Sequence, residues 1–150
     1  MILETERLKI VECTEESAQL AFAQRYDNGP FLTDYLVELK KDATIAGWGS
    51  WLIVRKSDNL VIGDIGFKGK PNLNKVVEIG YGFLKSYWHK GYATEAANAL
   101  IKWSFATDKV NKIMAEVLKE NLASIHVLEK IGMKRLTEVN EMYYYQIKKA

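Results

Sequence analysis

Trp88-His89-Lys90-Gly91-Tyr92-Ala93-Thr94-Glu95-Ala96 follows an apolar run, Val76 to Leu84, and leads into a helical spacing of small residues. It therefore joins a strand to a helix. A glycine and small residues at such a junction leave backbone N–H groups bare, and the helix start adds the positive end of its dipole. The stretch reads as a site for phosphate or pyrophosphate. A P-loop would need Gly-x-x-x-x-Gly-Lys-Ser/Thr, and a dinucleotide fold would need Gly-x-Gly-x-x-Gly after an early strand; the chain contains neither.

Outward from this junction, Ala93, Ala96, Ala97, Leu100, Ile101 and Ser104 share one face of a helix ending near Thr107. Ile113–Leu118 reads as a strand. Ser124, Val127, Leu128 and Ile131 share a face of a last helix, stopped by Gly132. Met133–Leu136 and Met142–Ile147 read as a closing hairpin. On the amino-terminal side, Arg7–Glu12 is a short strand. Thr14 caps a helix to Arg25, with Glu15 and Glu16 favourably placed in its first turn. Asp27-Asn28-Gly29-Pro30 is a turn, and Leu32, Tyr35, Leu36 and Leu39 mark a helix reaching about Lys41. Trp51–Val54, Leu60–Phe67 and Val76–Leu84 are strands, the first two joined through Ser57-Asp58-Asn59. The order is β-α-α-β-β-β-α-β-α-β-β. It predicts an α/β (α+β) fold, a mixed and mostly antiparallel sheet with helices on both faces, in one domain over residues 1–150.

The 150 residues suit one core. A net charge of +2, with lysines spread along the chain, argues against a nucleic-acid partner. The single cysteine, Cys13, excludes an internal disulfide and fits a reducing compartment such as the cytoplasm. Met1-Ile2-Leu3-Glu4 does not resemble a signal peptide, and no apolar run approaches the ~20 residues that span a bilayer. No membrane partner is expected.

The central stretch resembles motif A of the GNAT superfamily, the acetyl-CoA-dependent N-acetyltransferases. The family pattern is Gln/Arg-x-x-Gly-x-Gly/Ala; Gly91 and Ala93 match, and Trp88 stands in the Gln/Arg position. An aromatic there is similar to the branch of ribosomal-protein N-terminal acetyltransferases, the Rim type. His89 replaces a more usual glycine, which implies a stiffer loop. Glu4–Ile10, Val61–Phe67 and Glu78–Leu84 resemble the family's first, third and fourth strands. Asn121-Leu122-Ala123-Ser124 with Glu129–Met133 resembles motif B.

The resemblance implies acetyl-CoA as cosubstrate and direct transfer to a primary amine in a ternary complex, without a metal. Phe83, Leu84 and Lys85 would pair with the pantetheine arm, and the amides of His89, Lys90, Gly91, Tyr92, Ala93 and Thr94 would hold the pyrophosphate. Asn121 would bond the pantetheine amide. Glu78 is the first candidate for the base that takes the amine proton, with Glu138 and Glu141 as alternatives. An amide near Tyr81 would polarise the thioester carbonyl. Ser124 is implied as the donor to the leaving thiolate. Asn121 and Ser124 also fit a plain helix N-cap with its N3 partner. The acceptor is left open between a protein N-terminal α-amine and a small-molecule amine, and the assembly between monomer and homodimer. The competing expectation is a CoA-binding module without catalysis.

Overall fold

The computed structural model describes residues 1–150. Its strands are β1 (Ile2–Glu4), β2 (Leu8–Glu12), β3 (Ser50–Arg55), β4 (Leu60–Phe67), β5 (Val76–Phe83), β6 (Lys112–Leu118), β7 (Lys134–Val139) and β8 (Met142–Lys148). The helices are α1 (Ala18–Ala23), α2 (Phe31–Lys41), α3 (Tyr92–Ala106) and α4 (Leu122–Lys130). They carry one eight-stranded sheet in the order β1-β2-β3-β4-β5-β6-β8-β7. Every pairing is antiparallel except β5 with β6, which is parallel.

Strand parity divides the core between two faces. Trp51, Ile53, Ile62, Ile65 and Phe67 turn towards α3 and α4, where they meet Ala96, Ala97, Leu100 and Leu128. Ala96, Ala97, Leu100 and Ser104 are wholly buried, so the small face of α3 lies close on the sheet. Trp48, Trp51 and Trp103 cluster there with Phe67, their ring centroids 5.0–6.5 Å apart. Leu52, Val54 and Val61 turn the other way, onto Ala18, Ala21, Leu32 and Tyr35 of α1 and α2.

The predicted elements all form, with different ends. The short strand β1 is additional; Leu3 pairs opposite Ile10, and three residues are too few to show periodicity. Thr14 and Ser17 exchange hydrogen bonds through side chain and backbone, but these close a turn ahead of the helix: regular helix begins only at Ala18, with Ser17 and not Thr14 as its N-cap residue. That helix stops at Ala23, because Arg25 adopts φ 59°. α4 ends in a Schellman motif: Gly132 takes φ 92°, its N–H bonds Glu129, and the Met133 N–H bonds Leu128. The closing hairpin is longer than expected, with β7 continuing to Val139 through a register shift near Leu136.

β5 and β6 pair only at Val76–Lys112, Val77–Ile113 and Glu78–Met114. Beyond Glu78 the two strands separate, and the second half of β5 has a partner only in β4.

Candidate active site

The gap between β5 and β6 opens on both faces of the sheet. The β5 Glu78 carbonyl and Leu84 N–H bond Lys68 and Ile62, on the β4 side. Alternation along a strand therefore turns the Tyr81 and Phe83 amides into the gap. On the α3/α4 face lies a cavity of ≈ 640 Å³ lined by Phe83, Tyr87, Trp88, the loop His89–Thr94 and the start of α4. On the α1/α2 face lies a cavity of ≈ 460 Å³ whose walls include Asn28, Asp64, Lys68, Gly80 and Glu116. Tyr81, Gly82, Asn121 and Ser124 line both.

The loop into α3 leaves the first-turn amides of the helix without a side-chain cap. Gly91 is the N-cap residue of α3 at φ 82°, ψ 3°, with no side-chain cap over the first turn. His89 also lies at positive φ, 62°, which explains why a glycine suits this place. Behind the loop, Glu95 accepts from the Thr5 hydroxyl, the Arg7 backbone N–H (2.9 Å) and Arg7 Nε (2.7 Å). Arg7 Nη1 donates to the Lys90 carbonyl at 2.9 Å, and its guanidinium lies 4.4 Å from the Tyr92 ring centroid. Burial disfavours the Glu95 carboxylate, but the bonds from Thr5 and Arg7 outweigh it and hold the carboxyl below the usual glutamate range.

At the junction of the cavities, Tyr81 Oη and Ser124 Oγ lie 2.8 Å apart, and either can donate. Burial raises the Tyr81 phenol, against a weaker opposing effect of the Ser124 bond, so the phenol keeps its proton. Asn121 caps α4 by accepting the Ser124 N–H at 3.1 Å through Oδ1. Its Nδ2 makes no hydrogen bond within the protein. Capping and ligand contact are compatible at this residue.

The remaining predicted residues are placed unequally. Phe83, His89, Lys90, Gly91, Tyr92, Ala93 and Thr94 line the larger cavity; Leu84 and Lys85 line neither. The backbone there is already engaged. Leu84 N–H bonds Ile62, the Leu84 and Lys85 carbonyls accept in a short 3₁₀ turn, and Trp88 Nε1 donates to the Phe83 carbonyl at 2.8 Å. Glu78 is half-buried and bonded to Lys68, whose ammonium also lies 3.4 Å from Glu116. Partial burial lowers the Lys68 pKa, yet the Glu78 bond and the two carboxylate charges raise it overall, so it stays charged. Glu138 pairs with Lys119 at 3.1 Å, and Glu141 is exposed.

Three participants were not foreseen: the Tyr81 side chain, the Arg7–Glu95 clamp, and a buried carboxylate, Asp64. Asp64 is only 6% exposed; it accepts from Tyr26 Oη at 2.6 Å and Asn28 Nδ2 at 3.5 Å. Burial raises its carboxyl above the ordinary range despite those two bonds. A signal existed, because an aspartate inside the apolar run Leu60–Phe67 has to be buried or paired.

An uncapped helix start on one face of a split sheet, with a second cavity reaching the same point from the other, makes a site able to take two ligands at once, one of them anionic. A family model described as an acetyltransferase (GNAT) domain matches residues 7–134, and the chain belongs to that family. The uncharacterized N-acetyltransferase YjdG of Bacillus subtilis is 39% identical over 103 residues, 69% of this chain and 60% of that protein. The chain thus spans less than two thirds of that relative. A GNAT-family acetyltransferase from Bacillus anthracis superposes with a TM-score of 0.73 at 28% identity, covering 99% of this chain and 98% of that one. RimL, a ribosomal-protein α-N-acetyltransferase in complex with coenzyme A, superposes with a TM-score of 0.77 over 99% of this chain and 98% of its own. At 16% identity that likeness concerns the fold.

Proposed function

We propose that the protein transfers acetyl from acetyl-CoA to a primary amine, with the cosubstrate entering on the α3/α4 face and the amine on the α1/α2 face. The observation that carries this is the shared lining: Tyr81, Gly82, Asn121 and Ser124 border both cavities. Acetyl-CoA supplies an activated acyl group on a good leaving thiolate. The protein's part is to align the substrates and manage two protons.

The amides from His89 to Thr94 hold the pyrophosphate, and Asn121 Nδ2 binds the pantetheine arm. The Tyr81 amide, facing the gap, polarises the carbonyl that the amine attacks. The hydroxyl pair of Tyr81 and Ser124 delivers a proton to the departing sulfur. Glu78 is the proton acceptor for the amine, working through water, since its carboxylate is held by Lys68 and does not itself line the cavity that Lys68 borders.

That same clamp favours the second reading, a CoA-binding module without catalysis. Thiol release from acetyl-CoA against a panel of primary amines separates the two. The acetyltransferase releases thiol with at least one amine class, and Ser124→Ala with Tyr81→Phe loses more than 100-fold in kcat. CoA still raises the melting temperature of that double variant. Thermal stabilisation by CoA without thiol release would establish the silent module. A Glu78→Gln variant at full rate would remove Glu78 from the mechanism.

A further inference from the structure

Asp64 has a place in the smaller cavity that the chemistry above does not use. It stands on β4 opposite Gly82, one of the residues shared by the two cavities. Both of its hydrogen bonds reach Oδ2; Oδ1 has no protein donor, and no lysine or arginine pairs with the carboxylate. An uncompensated buried carboxylate is costly. An asparagine would satisfy Tyr26 equally well through its carbonyl oxygen, so what the aspartate adds is charge.

The surroundings carry the same sign. Asp64 and Glu116 line the cavity, and its single ammonium, Lys68, is already paired with Glu78 and Glu116. Glycines keep the space open: a Cβ on Gly82 would fall 2.8 Å from Asn28 Nδ2. The ≈ 460 Å³ admits a short aliphatic amine. The reacting nitrogen must lose its proton before it attacks, so only a second, non-reacting ammonium stays charged throughout and can remain paired.

We propose that Asp64, oriented by Tyr26, binds the non-reacting ammonium of the acceptor, and that the acceptor is a small amine carrying two or more positive charges. This rests on the acetyltransferase reading and narrows its acceptor. The test compares kcat/KM for a short diaminoalkane with that for the monoamine of equal carbon number, in the native protein and in Asp64→Asn. CoA-induced thermal stabilisation is measured on both proteins.

A charge-assisted bond predicts that the native protein prefers the diamine by about tenfold or more, mainly through KM. In Asp64→Asn the preference falls to about one, while stabilisation by CoA persists and shows the variant folded. Equal kcat/KM for the two amines in the native protein overturns the proposal without reference to any variant. So does a diamine preference that survives Asp64→Asn. Turnover of neither amine also overturns it; stabilisation by CoA would then leave the acetyltransferase reading standing, and its absence would remove both.

Discussion

Gly91 combines two demands that few residues can meet. Its φ of 82° lies in the left-handed region, and a Cβ there would come 3.3 Å from Arg7 Nη2. Gly91→Ala is therefore expected to cost about 1 kcal/mol of stability from backbone strain. It should also weaken CoA binding by displacing the Lys90 carbonyl from Arg7. Denaturant titration and CoA-binding calorimetry check the two effects separately, and an unchanged affinity would show that the cradle tolerates the shift. The glycine was legible in the sequence because its role is local: one residue, one turn, one helix start. Tyr81 and Asp64 were legible as strand residues only. Tyr81 owes its role to Ser124, 43 positions away, and Asp64 to Tyr26, 38 positions away. No periodicity encodes such pairings.

At the scale of elements, the turn between β1 and β2 reaches across to hold the loop into α3. Thr5 and Arg7 lie some 90 residues from Glu95, yet they fix its carboxylate, and Arg7 ties down the Lys90 carbonyl. Because the folded Glu95 pKa is depressed, the stabilisation is fully present above the ordinary glutamate value and is lost as pH falls through the lower folded value. Melting temperature against pH should thus fall less steeply on the acid side in Glu95→Gln than in the native protein, with the variant's curve lying below the native one at neutral pH. Parallel acid limbs in the two proteins would refute the clamp's contribution. The sequence revealed these elements because helix faces and strand alternation repeat along the chain. It missed β1, which has no room to repeat, and it ended β7 early because that edge strand is exposed at every position and carries no apolar pattern.

For the molecule as a whole, three residue pairs along β5 and β6 join β1–β5 to β6–β8–β7 within the sheet. A ligand lodged in the gap bridges the halves. Hydrogen exchange should therefore slow on CoA binding at Tyr81 and Phe83, whose amides face the gap, and along Ala115–Leu118. The β1–β2 pairing, remote from the gap, should be unaffected. A uniform slowing over all strands would instead indicate global stabilisation by mass action.

The open seam has a consequence for divergence. On the proposed reading, what grips the cosubstrate there is main chain, and main-chain amides are the same whatever side chains the strand bears. Descendants of such a scaffold can therefore rewrite the opposite wall, residue by residue, without renegotiating their hold on the donor. New acceptor preferences can arise on the α1/α2 side while inheritance of the donor site stays almost silent in sequence.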